Sequence, residues 1–153
     1  MMYKTHAAFG FLAGLLAMNY FNVNRYIFLS MAVFGSLFVD IDDAGSYFGN
    51  KIRPVSSMIK FLFKHRGVFH SVFMALLIFT GFWYFGMIGY GYGFFIGYLS
   101  HLVADGLTLD GVRIFYPFSK FAVRGFFRTG GIFESIFFAL VLVAIGYSMI
   151  LRF

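Results

Sequence analysis

The sequence predicts an all-α integral membrane protein, a helical bundle of about five short transmembrane helices with a metal site at one membrane face. Three observations predict it. Of 153 residues, 61% are hydrophobic and only 12% charged, with mean hydropathy +0.84; soluble domains run about 45–50% apolar and about 25% charged. From Gly67 to Ala104 there is no Asp, Glu, Lys or Arg, a run too long for one span of about 20 residues and suited to two. The histidines and most of the acids fall at the ends of the apolar stretches, not within them. A chain of this length suits one membrane-embedded domain, residues 1–153.

The first helix is expected from about Ala7 to Phe21, with His6 at its entrance. Gly10 and Gly14 continue the i+4 row from His6, a small-residue seam for close helix approach. Lys4 before an apolar stretch has the outline of a signal peptide, but no small-x-small cleavage site follows, so the segment is read as a retained helix. Asn22, Asn24 and Arg25 make the turn into a second helix, Tyr26 to Val39. It is short for a span, and must be tilted, flanked by thinned bilayer or shielded by neighbours. It ends in FVDIDDAGS, whose Asp40, Asp42 and Asp43 face the negative end of the helix dipole and call for a cation.

A polar loop, Ala44 to Lys64, contains a candidate interfacial helix from Val55 to Phe63. KHRGVFHS then leads into a third helix, Val68 to Phe85. The glycine-rich segment Gly86 to Gly93 is the expected hairpin, with Trp83, Tyr84, Tyr90 and Tyr92 as an interfacial aromatic belt. A fourth helix, Tyr92 to Leu107, carries Gly93 and Gly97 at i+4 into His101 and Asp105. A second basic loop, Asp110 to Thr129, precedes a fifth helix, Ile132 to Leu151, with Glu134 in its first turn.

The two long loops, with Arg66 just after the first, hold nine of the twelve Lys and Arg residues, and Lys4 lies on the same side. The positive-inside rule then puts the N-terminus and the site residues on the cytoplasmic face and the C-terminus outside. The net charge of +6 fits loops beside anionic membrane lipid. Nothing reads as a nucleic-acid-binding module, so no nucleic acid is expected as a partner. With no Cys, neither a disulfide framework nor a thiolate metal site is possible.

His101 and Asp105 are four apart and share a helix face. An Asp at mid-bilayer costs roughly 2.5–3.5 kcal/mol on insertion scales, so it needs a partner. A divalent metal ion supplies one, and His with Asp suits Zn, Mn or Fe in a catalytic setting. There are enough imidazoles and carboxylates for two metals, which at about 3.5–4 Å would clamp both oxygens of a phosphoester displacement. His65 and His70 lie about 140° apart on an ideal helix, which puts His65 in the loop or N-cap and His70 on the first turn. Arg66 and the backbone N–H groups there could hold an anionic phosphate.

Each piece also has a purely structural reading. His6 suits a helix cap, the acidic cluster a solvated helix end beside Lys51 and Arg53, and His101 a hydrogen bond to Asp105. Glu134 suits a favourable first-turn acid. Together the segments favour a polynuclear metal site.

The order His6, DID, FGNKI, HRGxxHS, GYLSHLxADxLTxxGV and a later GxxE resembles the bacterial YdjM-like membrane proteins. That family is described as LexA-binding and inner-membrane-associated, with a metal-dependent hydrolase assignment inferred from such motifs. The resemblance runs from His6 to Glu134. It implies that His6, Asp40, Asp42, His65, His70, His101 and Asp105 are the metal-site positions, with Glu134 a further ligand or base. It also implies a cell inner membrane location and a LexA-type regulator as partner. The family is distantly similar to the zinc-dependent phospholipase C and single-strand nuclease superfamily, helical proteins with a three-zinc site, which implies two or three zinc ions here. Two positions depart from the pattern: Asp43 stands where His is usual, and Phe69 where Thr is usual.

The expected function is that of a membrane-embedded, metal-dependent hydrolase acting on a lipid-like phosphoester through metal-activated water. Arg66, Asp43 and Glu134 are the expected catalytic residues, Arg66 neutralising phosphate and Glu134 acting as base. The alternative is a non-enzymatic membrane scaffold whose structural metal site supports docking of a soluble partner. Transport is disfavoured, because the third and fourth helices offer no polar path beyond His70.

Overall fold

The computed structural model of the chain describes residues 1–42 and 67–152. Among them are five α-helices: α1 (Tyr3–Ala17), α2 (Arg25–Phe38), α3 (Val72–Tyr84), α4 (Ile88–Gly106) and α5 (Ile132–Arg152). Extended structure is confined to two isolated bridges, so the expected all-α class holds for these residues. The expected helix over Val55–Phe63 lies outside the described residues.

Helix boundaries follow local capping chemistry. α1 starts before the expected Ala7, so His6 sits inside its first turns instead of at its entrance. α2 is capped by Asn24, whose side chain accepts from the Tyr26 and Ile27 N–H groups at 3.0 and 3.3 Å, a cap worth about 1 kcal/mol. Beyond α2, Val39–Asp42 tightens into a 3-10 turn.

The third helix starts later than expected. Ser71 takes an extended conformation, accepts from the Met74 N–H at 3.3 Å and donates to the Val68 carbonyl at 2.7 Å. This local competition with helical hydrogen bonding ends the segment Val68–His70 as a separate 3-10 turn. His70 therefore precedes α3 and is not on its first turn. The hairpin between α3 and α4 is tighter than the expected Gly86–Gly93. Gly86 at φ +72° reverses the chain, and Tyr90 and Tyr92 become helical.

The centre of the bundle is the α2–α4 pair. A Cβ on Gly97 would fall 1.8 Å from the Ala32 carbonyl oxygen, one on Gly93 2.5 Å from that of Phe28, and one on Gly35 2.2 Å from that of Phe94. The backbones are thus in direct contact. Gly10 and Gly14 bring α1 close to the side chains of Ser36 and Ala32 of α2. Where lipid tails are as apolar as side chains, such close van der Waals contact is what holds helices together. α3 packs on the far side of α4, and α5 on α1. Two buried clusters fill the gaps: Val39, Ala75, Phe94, Tyr98, Leu102 and Val112 towards one end, and Leu15, Met18, Phe28 and Leu29 towards the other.

By length and composition, Ile132–Leu151 is the one self-sufficient membrane span among the described residues. The helices therefore do not by themselves show five crossings. Between α4 and α5 the chain forms a clasp of two extended arms. Val112 and Val123 exchange backbone hydrogen bonds at 2.9 Å in an antiparallel bridge, and Phe127 meets Thr108 in a separate parallel bridge, accepting from the Leu109 N–H at 2.9 Å and donating to the Leu107 carbonyl at 3.0 Å.

Candidate metal centre

Four elements converge at one end of the bundle. α1 supplies His6, the turn after α2 supplies Asp40, the turn before α3 supplies His70, and the last turns of α4 supply His101 and Asp105. His6, His70 and His101 are at most 1% exposed, as is Asp105. The Asp40 side chain keeps 22% of its surface and marks the open edge.

The contacts are mutual. Asp105 lies 3.3 Å from His6 Nε2 through Oδ1, and 3.7 Å from both His70 Nε2 and His101 Nε2 through Oδ2. Asp40 Oδ1 lies 3.4 Å from His70 Nε2 and 3.6 Å from His101 Nε2. The His6 and His101 rings stack with centroids 3.8 Å apart, and His70 stands edge-on to His101. The Met1 α-amino group also donates to Asp105 Oδ1 at 2.9 Å. Burial works to raise the Asp40 pKa, but the facing imidazoles of His101, His70 and His6, when protonated, overcome it and hold the carboxyl well below the usual carboxylate range.

The orientation of His101 decides what the cluster can do. Its Nδ1 meets the Ser36 carbonyl oxygen at 2.6 Å. A carbonyl only accepts, so Nδ1 carries a proton, and in the neutral ring Nε2 is the lone-pair donor that a metal ion would take. That Nε2 is buried and has no hydrogen bond among the described residues, and neither does His6 Nδ1. A buried nitrogen lone pair aimed between two carboxylates costs free energy unless a cation fills the gap. Fixing one imidazole nitrogen by a carbonyl is also how metal-ligating histidines are held. Two His/Asp groups could hold a metal ion, His6 with Asp40 and His101, and His70 with His101 and Asp105; within each the ligand atoms lie within 4.8 Å of one another. The donor set fits a divalent ion.

Of the residues singled out by sequence, these five come together. The side chains of Asp42, Asp43, His65 and Arg66 lie outside the described residues. Glu134 joins neither group. Its Oε1 accepts from the Met2 N–H at 2.6 Å and the Thr5 hydroxyl at 2.8 Å, and its Oε2 from the Gly130 N–H at 2.7 Å. It ties the start of α1 to the start of α5.

Sequence reasoning missed the groups that orient the ligands. Ser36 acts through its backbone carbonyl, which no side-chain pattern reveals. The Tyr98 hydroxyl donates to the Phe69 carbonyl, bracing the turn that presents His70. Thr108 donates to the Asp105 carbonyl at 2.7 Å and accepts from the Gly111 N–H at 3.3 Å, closing the end of α4. Ser and Thr next to site residues were the available signal, and they are too common to single out.

A helical bundle with a seam of backbone contact and a buried nitrogen–oxygen cluster at one end defines the class: a membrane protein with a candidate divalent-metal centre. The chain belongs to the YdjM family, matching the family model described as YdjM inner membrane protein over residues 1–152. The resemblance carried by the motifs is thereby shown. The chain is 28% identical over 153 residues to the uncharacterized protein YvsG of Bacillus subtilis (strain 168), covering 98% of this chain and 95% of that protein. It is 33% identical over 92 residues to the inner membrane protein YdjM of Escherichia coli (strain K12), and equally to that of Shigella flexneri, covering 56% of this chain. The chain spans only 47% of the length of those two relatives. No solved structure matches it.

Proposed function

We propose that the chain is a multi-pass, membrane-embedded metal-dependent hydrolase that acts on a lipid-like phosphoester at the cytoplasmic face. The observation that carries the metal reading is the buried His101 Nε2, held by the Ser36 carbonyl at 2.6 Å behind it and facing Asp40 and Asp105. A divalent ion in such a site acidifies a water for attack on a phosphorus centre.

The residues set limits on that ion. Both candidate groups use His101, and with Nδ1 committed to Ser36 its Nε2 serves one ion. His6, Asp40, His70, His101 and Asp105 thus suit one well-ligated ion, with zinc favoured by three imidazoles over the all-oxygen set that magnesium prefers. A second ion would draw on Asp42, Asp43 or His65. Asp40 sits at the partly open edge, so substrate reaches the cluster past it. Arg66, adjacent to His65 in the sequence, is the proposed phosphate contact. Glu134 has no part in the chemistry in this reading, since three donors occupy its carboxylate.

Burial of the cluster also supports a second reading, a scaffold in which the ion only ties four elements together. Elemental analysis of the purified chain, with headgroup release from phospholipid vesicles, separates them. The hydrolase predicts bound metal and turnover, both lost in His101→Ala, and turnover lost with metal largely retained in Asp40→Asn. Bound metal with no phosphoester turnover in the unaltered chain leaves the scaffold. Absence of metal from a folded, active chain overturns both.

A further inference from the structure

The clasp between α4 and α5 has two unlike faces. Along its first arm Val112 and Ile114 turn inward onto the core while Arg113 and Phe115 are exposed. Along the second, Val123, Gly125 and Phe127 are half-buried while Arg124, Phe126 and Arg128 are exposed. This is the period of two of extended chain, and it yields one outer surface on which arginine and phenylalanine alternate.

The surface is rigid and its level is set. Gly125 lies so close to Leu107 that a Cβ would fall 2.3 Å from its carbonyl oxygen, and Gly111 turns the chain at φ +69°. The tip is tied to α3 by the Val72 N–H to the Ile114 carbonyl at 2.9 Å and by Phe118 against Phe73. The second arm runs directly into α5, the helix long and apolar enough to span, so a membrane crossed by α5 would place the arms where it leaves the hydrocarbon. Among the described residues, Arg113, Arg124 and Arg128 make no ion pair. Phe126 is 69% and Phe115 51% exposed, an arrangement unfavourable in water and suited to the acyl boundary.

We propose that the outer face of this clasp binds anionic phospholipid headgroups. The guanidiniums pair with phosphate oxygens, bidentately where geometry allows, and the phenyl rings enter the boundary between headgroups and chains. The fixed alternation makes it a selective surface for anionic over zwitterionic lipid. It rests on membrane location alone and stands whether or not the buried cluster is catalytic.

The test uses the full chain in phosphatidylcholine vesicles containing phosphatidylglycerol, with spin-labelled versions of each lipid. Electron spin resonance is expected to show phosphatidylglycerol favoured at the protein surface by at least about threefold. Replacing Arg113, Arg124 and Arg128 together by Gln should remove most of that preference, and replacing them by Lys should keep it. The corresponding change at the opposite end, Arg25→Gln, should leave it intact. If the triple Gln variant does not fold, each single Gln variant is expected to lower the preference in part. No preference in the unaltered chain, or a preference indifferent to the Gln changes, overturns the proposal and leaves the face to a soluble partner.

Discussion

His101 shows how much one side chain depends on its surroundings. Its spacing from Asp105 is a sequence fact, but the tautomer that makes Nε2 a ligand comes from the Ser36 carbonyl, 65 residues away. A backbone oxygen has no residue type, so no motif could announce it. Glu134 shows the converse. As a first-turn acid near a metal-type cluster it invited a catalytic role, and three donors meet its carboxylate, an arrangement that supports a structural one. Glu134→Ala should leave the Thr5 hydroxyl and two backbone N–H groups unpaired, costing about 1–3 kcal/mol. A lowered thermal midpoint with unchanged metal content checks this. Metal loss at an unchanged midpoint would return Glu134 to the ligand set.

Among the helices, the glycine seam is where local pattern and packing agree. Gly93 and Gly97 were legible as a row on the face of His101, and the structure shows what the row meets: the backbone of α2. Gly97→Ala is expected to push α4 off α2, because the obstructing atom, 1.8 Å from the added Cβ, is a carbonyl oxygen that cannot swing away. Overpacking of this kind costs up to about 3 kcal/mol. Gly81, also within a helix, has nothing within 4 Å of an added Cβ. Gly81→Ala should be neutral or stabilising by up to about 1 kcal/mol from helix propensity. Thermal unfolding in one detergent ranks the two, and equal midpoints would mean that the α2–α4 contact is dispensable. Helix boundaries were less legible, since Ser71 and Gly86 act through local hydrogen bonding and a positive φ that periodicity does not encode.

For the molecule as a whole, the positive-inside rule predicts both long loops on the cytoplasmic side and the turn near Asn22 outside. The chain contains no Cys, so single cysteines report sidedness without background. Lys120→Cys should react with an impermeant thiol reagent only from the cytoplasmic side, and Asn22→Cys only from the opposite one. Labelling of both from the same side would refute this topology. By length and composition α5 is the helix best suited to cross the membrane unaided, and little of it is buried against the rest of the described residues. The shorter helices depend on each other.

Composition and periodicity by themselves determined the membrane setting, the helical class and the segments that bear His and Asp, because each is a property of short stretches of chain. The motif order likewise revealed the family. Which of those residues meet was decided only in three dimensions. Close packing of α1, α2 and α4 brings His6, Asp40, His70, His101 and Asp105 together as two overlapping groups that could hold a metal ion. The same packing leads Glu134 to the chain's own N–H groups. Ligand geometry is set by distances between segments remote in sequence, and those exist only once the helices have closed on their glycines.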